Sequence, residues 1–142
     1  MSDPDKISAA AIREVIERHD AFVLWFSGTA EDGLFDEIER ALGPDMVMVD
    51  PSGALIRRPA LVAGLRAGFG SRPSFIITVD EPETLWATAD AALVAYIERQ
   101  DIAGVTSARR STALFTTDEH APLGVVWQHV HETWIERPKE RA

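Results

Sequence analysis

At 142 residues the chain is the size of one ordinary domain, enough to bury roughly 70% of the surface its unfolded form exposes. With no cysteine it can make no disulfide, thiolate metal site or cysteine nucleophile, and no apolar run approaches the ~20 residues that span a bilayer. A net charge of −9, with Arg57-Arg58 and Arg109-Arg110 as isolated basic pairs, argues against nucleic acid and membrane as partners. The opening Met1-Ser2-Asp3-Pro4-Asp5 has neither a basic nor an apolar leader segment, which points to a cytoplasmic protein.

Residues 12, 15, 16, 19, 22, 23 and 26, apolar except for His19, recur with the helical period, so the first segment reads as an amphipathic helix. Asp3-Pro4 opens it as N-cap and first helical residue, and Ser27-Gly28 closes it. His19, alone among the apolar residues of that stripe, reads as a satisfied core histidine. A second helix is expected from Thr29 through Leu34, Phe35, Ile38 and Leu42, stopped by Gly43-Pro44. Met46-Val47-Met48-Val49 reads as a buried strand, Asp50-Pro51-Ser52-Gly53 as a type I turn, and Ala54-Leu55-Ile56 as the returning strand. Pro59 then enters a third helix carrying Leu61, Val62, Leu65 and Phe69, ended by Gly70.

No helical period follows. Residues 74–88, interrupted at Asp80-Glu81-Pro82, and 91–101, 105–117 and 124–136 have strand length and are separated by turn residues. Strands of up to ~13 residues joined by short turns form an antiparallel meander that must bend. The fold expected is α+β, with three N-terminal helices packed on a strongly curved antiparallel sheet forming a half-open cone. Residues 1–142 read as a single domain, without repeats or linker.

This order of elements, with the hairpin motif Val49-Asp50-Pro51-Ser52-Gly53, the third helix ending Gly64-Leu65-Arg66-Ala67-Gly68-Phe69-Gly70, and the last strand Trp127-Gln128-His129-Val130-His131-Glu132-Thr133-Trp134, resembles the nuclear transport factor 2-like superfamily. It is most similar to the SnoaL-like, ketosteroid isomerase-related branch, over about residues 8–136. The superfamily hosts isomerases, cyclases, dehydratases, hydrolases and non-catalytic modules, so the fold by itself assigns no chemistry. The resemblance implies that Asp50 stands where ketosteroid isomerases keep their proton-moving aspartate. It also implies that Tyr96, Glu98, Arg109, Ser111, Ala113, Gln128, Val130 and Glu132 face a pocket. Phe22 and Ala113 stand near the positions of that isomerase's two oxyanion donors, and neither side chain can donate a hydrogen bond.

The residues themselves leave alternatives open. Asp50 is either a general base at a pocket rim or the cap of its own turn. His129 and His131 share one strand face; they could be metal ligands, a catalytic pair or packed residues, and two clear ligands make an incomplete metal site. Glu132 is either a carboxylate in an apolar setting or solvated near the sheet's end. Arg109, on the inward parity, either clamps a ligand carboxylate or neutralises Glu98 or Glu132. No nucleophile elbow and no phosphate-cradling glycine loop occurs.

The expected function is binding of a small apolar or carboxylated molecule in the cone. Catalysis as an isomerase, cyclase or dehydratase would use Asp50 as base, with Phe22, Tyr96, Glu98, Arg109, Gln128, Val130 and Glu132 against the ligand and with no cofactor or metal. The alternative is a non-catalytic dimerisation or ligand-sensing module. A homodimer is expected through the outer sheet face, where period-2 alternation puts Trp127 beside His129, His131 and Thr133.

Overall fold

The computed structural model describes residues 3–139. Helix α1 runs Pro4–Ser27, capped by Asp3, whose carboxylate accepts from the Asp5 amide, and closed by Gly28 in the left-handed region at φ 79°. The two ends therefore lie where the Asp-Pro and Ser-Gly signals put them. The buried face of α1 also carries Glu14 and Arg18. These two charges are tolerated inside because they pair with each other one helical turn apart, with Arg18 donating to both Glu14 oxygens at 2.7 and 2.8 Å. Helix α2 spans Leu34–Ala41 behind an N-cap at Gly33. It starts later than Thr29 because the Thr29 amide and hydroxyl are engaged by the end of α1, at the Leu24 carbonyl.

Strands β1 (Leu42–Val49) and β2 (Leu55–Arg57) form the hairpin, α3 (Arg58–Ala67) follows with Pro59 in its first turn, and β3 (Phe75–Ala87), β4 (Ala91–Ile102), β5 (Val105–Thr117) and β6 (Val125–Glu136) complete the chain. Three helices thus lie on one six-stranded open sheet of order β2-β1-β6-β5-β4-β3. β3 to β6 form the expected antiparallel meander. β1 joins it beside β6 in parallel, a pairing that spacing along the sequence does not reveal.

Two irregularities decide which side chains face inward. In β3 the ladder shifts between Asp80 and Glu83, at the Asp-Glu-Pro interruption, where Glu81 takes φ 53°. In β6 Gln128 is extra: His129 pairs with Leu114 and Trp127 with Phe115, so two neighbours on β5 oppose residues two apart on β6. The bulge reverses the alternation. Trp127 consequently faces inward with Val130 and Glu132, against the outward place that strict alternation assigns it. It is 4% exposed, its ring centroid lies 4.6 Å from that of Phe115, and its Nε1 donates to Glu14 at 2.9 Å. Gly43 serves the bulge: a Cβ there would lie 2.8 Å from the Trp127 carbonyl oxygen and 3.0 Å from Gln128 Oε1, so only glycine lets β1 approach.

With that register, inward side chains form cross-strand rows over β4, β5 and β6: Ala92-Phe115-Trp127, Val94-Ala113-Val130, Tyr96-Ser111-Glu132 and Glu98-Arg109-Trp134. Going along the sheet these rows change from wholly apolar to charged. The apolar end merges with α1 through Ile7, Ala11 and Val15 as the main core. The charged end is what remains to be explained.

Candidate functional site

A cavity of about 190 Å³ opens beside the charged rows. The sheet supplies its back wall, α1 contributes His19, Phe22 and Phe26, and α3 contributes Leu61 and Leu65. Most of the lining is apolar. The polar lining is His19, Arg72, Tyr96, Glu98, Gln100, Arg109 and Glu132, with Ser111 directly behind Glu132.

His19 is held from both sides. Its Nδ1 lies 2.6 Å from the Val15 carbonyl oxygen and its Nε2 2.9 Å from Glu98 Oε1. A carbonyl can only accept, so Nδ1 carries a hydrogen. Burial pushes Glu98 up, but the His19 charge and hydrogen bond, then Arg109 and the Gln100 amide, outweigh it and hold the group at about 2. An ionised Glu98 likewise only accepts, so Nε2 carries a hydrogen as well and His19 is an imidazolium. The direction of its own shift agrees: burial lowers it, the Glu98 carboxylate overrides burial, and the net result is upward. His19 is therefore a buried core residue, as expected, and also the counter-ion of the cavity's strongest acid.

Glu132 has the opposite fate. It is 4% exposed, its Oε2 accepts from Ser111 Oγ at 3.2 Å, and its Oε1 lies 3.4 Å from Arg109 Nη1. Burial raises it first and the Glu98 charge next, and Arg109 and Ser111 only partly offset them, leaving Glu132 at about 7. One carboxyl of the pair is thus ionised at neutral pH while the other can take and return a proton there. Burial also lifts the Tyr96 hydroxyl well above its usual range, so it stays a neutral donor. Arg109 stacks over Trp134 with its guanidinium carbon 4.9 Å from the ring centroid, and its buried Nε has no hydrogen-bond partner among the described residues.

Of the expected ligand-facing residues, Phe22, Tyr96, Glu98, Arg109, Val130 and Glu132 line this cavity. Gln128 does not: the bulge turns it aside, and its amide donates to Thr116 Oγ1 at 2.9 Å. Asp50 is also away from the cavity. Its Oδ1 accepts from Ser52 N, Ser52 Oγ and Ala54 N at 2.9, 2.7 and 3.0 Å, and the Ser52 hydroxyl above all lowers its pKa. A carboxylate so engaged caps its own turn, which is the second of the two readings the sequence left open for Asp50. Ala113 sits in the main core. His129 and His131 lie on the far face with ring centroids 6.2 Å apart, and His129 Nδ1 donates to the Val47 carbonyl oxygen at 2.6 Å. Arg72 and Gln100 escaped the sequence reading. Gln100 shares the parity of Tyr96 and Glu98, whereas nothing in the sequence before β3 points Arg72 inward.

No protein-family model matches the sequence, and no curated protein matches it. Solved structures do. An NTF-2-like protein of unknown function from Pseudomonas aeruginosa is 30% identical, with 88% of this chain and 98% of that chain covered at a TM-score of 0.82. A proposed dehydratase of the NTF2-like family from Streptomyces avermitilis is 15% identical over 89% and 97% of the two chains, TM-score 0.64. The CaMKII hub of S. rosetta is 15% identical over 86% and 95%, TM-score 0.62. The last two likenesses are likenesses of fold.

Proposed function

Because this chain belongs to the NTF2-like family, we propose that it binds a small molecule in the half-open cone formed by its sheet and helices and moves a proton on it, as an isomerase, cyclase or dehydratase does. The observation that carries this reading is the division of labour between two buried carboxyls in one cavity, Glu98 at about 2 and Glu132 at about 7. Environments that push two acids apart in this way are how one site holds a fixed charge and a proton shuttle together. Glu132 replaces Asp50 as the base. Tyr96 supplies the neutral hydroxyl that Phe22 and Ala113 lack, able to donate to the oxyanion that forms when a proton leaves carbon beside a carbonyl. Arg109 and Ser111 orient Glu132. The NTF2-like neighbour that is a proposed dehydratase is in keeping with this class of chemistry.

The test is deuterium exchange: unsaturated and cyclic carbonyl compounds are incubated with the protein in heavy water and followed by NMR. Exchange next to the carbonyl that is lost in Glu132→Gln and kept in Asp50→Asn is the expected result. Exchange that survives Glu132→Gln rules this reading out.

We propose a second property, self-association as a homodimer, on one observation: the outer sheet face carries the row Trp86-Leu93-Leu114-His129, and Trp86 is 54% exposed. All three helices pack on the other face, where the cavity lies. Exposed aromatic and apolar rows of this kind mark interfaces.

A further inference from the structure

The cavity is cationic inside an acidic protein. The chain as a whole carries −9, yet the cavity is lined by the His19 imidazolium, Arg72 and Arg109 against Glu98 and Glu132. Three cations face two carboxylates, so at least one positive charge is left over even when Glu132 is ionised. Buried and half-buried charges are normally paired. Here the excess has a definite location.

Arg72 enters at the mouth of β3, anchored by its backbone amide to the Phe26 carbonyl oxygen at 2.8 Å. Its guanidinium lies over Phe26 and Phe75, 4.8 and 5.0 Å from their ring centroids, and among the described residues its side chain has no hydrogen-bonded or ion-paired partner. Stacking fixes the plane of a guanidinium and leaves its N–H edge available to an acceptor. Burial lowers its pKa and the Arg109 charge lowers it further, so the two cations feel one another across the cavity. The second unused donor is the buried Nε of Arg109.

Building on the small-molecule reading above, we infer that the cavity takes a monocarboxylate bearing a single ring or a short chain, with its carboxylate between Arg72 and Arg109 and its apolar part against Phe22, Met48, Leu65 and Ile77. A carboxylate offers one oxygen to each of the two guanidiniums, which is the fit a planar monoanion gives. Size agrees, since an apolar cavity of about 150 Å³ holds benzene and this one measures about 190 Å³. A ligand that draws Arg109 away from its 3.4 Å contact with Glu132 also adds a negative charge beside that carboxyl. Glu132, which already faces Glu98 and is lowered chiefly by Arg109, then holds its proton more tightly. Binding near neutral pH is accordingly accompanied by proton uptake.

Calorimetric titration of the full chain with benzoate and hexanoate, with benzamide and hexanamide as uncharged isosteres, and with phenyl phosphate, decides the matter. The acids are expected to bind at least tenfold more tightly than the amides, with proton uptake read from two buffers of different ionisation heat. Arg72→Gln is expected to erase the preference and Arg72→Lys to retain part of it, with thermal melting certifying that each variant is folded. Acids and amides binding alike, or a preference for acids that survives in Arg72→Gln, overturns the clamp while leaving the small-molecule reading intact. Tighter binding of phenyl phosphate overturns the monoanion class. Failure of every acid and amide overturns the clamp, and the deuterium-exchange test then decides the broader reading by itself.

Discussion

Glu98 and Glu132 reach one cavity from the two strands that flank β5, and the structure holds them at about 2 and about 7 respectively. The difference follows from neighbours. Glu98 has the His19 imidazolium at 2.9 Å, while Glu132 has a hydroxyl at 3.2 Å, a guanidinium at 3.4 Å and the charge of Glu98 itself. Carboxyl-detected NMR titration of the wild type and of Glu132→Gln is expected to assign the upper transition to Glu132. A Glu132 that titrates in the ordinary carboxylate range removes the proton shuttle.

Glu132 and His19 set a sign for stability against pH. Glu132 is raised in the folded state, so its burial costs nothing below its unfolded value near 4.5 and a growing amount as pH rises toward about 7. His19 is raised as well, so the stability its pairing contributes is present below 6.5 and lost as pH rises through its folded value. Both act in one direction, and chemical denaturation is expected to show a less stable protein at pH 8.5 than at pH 6. Glu132→Gln, which removes that cost, is expected to recover stability at pH 8.5 by on the order of 2 kcal/mol. No gain at that pH contradicts the account.

Glu14→Ala is expected to be among the costliest single substitutions. It leaves Arg18, 1% exposed, with only the 3.5 Å contact to the half-exposed Glu37 in place of its bidentate partner, and the Trp127 Nε1 donor without an acceptor. Removing one member of a buried pair costs roughly 3–5 kcal/mol. Trp127→Phe, which forfeits only the hydrogen bond and some area, is expected to cost less than Glu14→Ala in urea melts, since losing the bidentate partner of a buried charge is the larger penalty.

Asp50→Asn is expected to lower stability by about 1 kcal/mol through weaker capping of the turn, and to leave ligand binding in the cavity unchanged. Loss of binding in a folded Asp50→Asn protein refutes the assignment of Asp50 as a turn cap only.

For the proposed dimer, static light scattering at pH 8 is expected to give twice the chain mass and Leu114→Glu to give the monomer. His129 and His131 share the outer face with Trp86 and Leu114. A monomer at pH 8, or a dimer that survives Leu114→Glu, refutes the interface.

Local chemistry wrote much of this protein into its sequence. Asp3-Pro4 and Gly28 delimit α1 because capping and left-handed backbone are properties of one or two residues, and the turns at Asp90, Gly104 and Asp118 separate β3 to β6 for the same reason. Alternation along β4 and β5 put Tyr96, Glu98 and Arg109 on the inward side, since a regular strand has period 2. Three features needed the tertiary structure. The bulge at Gln128 depends on how β5 and β1 meet β6, so counting along β6 misassigned Trp127 and Gln128. Glu14 and Arg18 look like surface charges until pairing inside the core satisfies both, because charge predicts exposure only when no partner is buried with it. Above all, the contrast between Glu98 and Glu132 is invisible in two glutamates 34 positions apart, since the energy of a buried proton is set by which side chains surround it, and only the folded chain brings His19 to the one and leaves the other with Ser111 and Arg109.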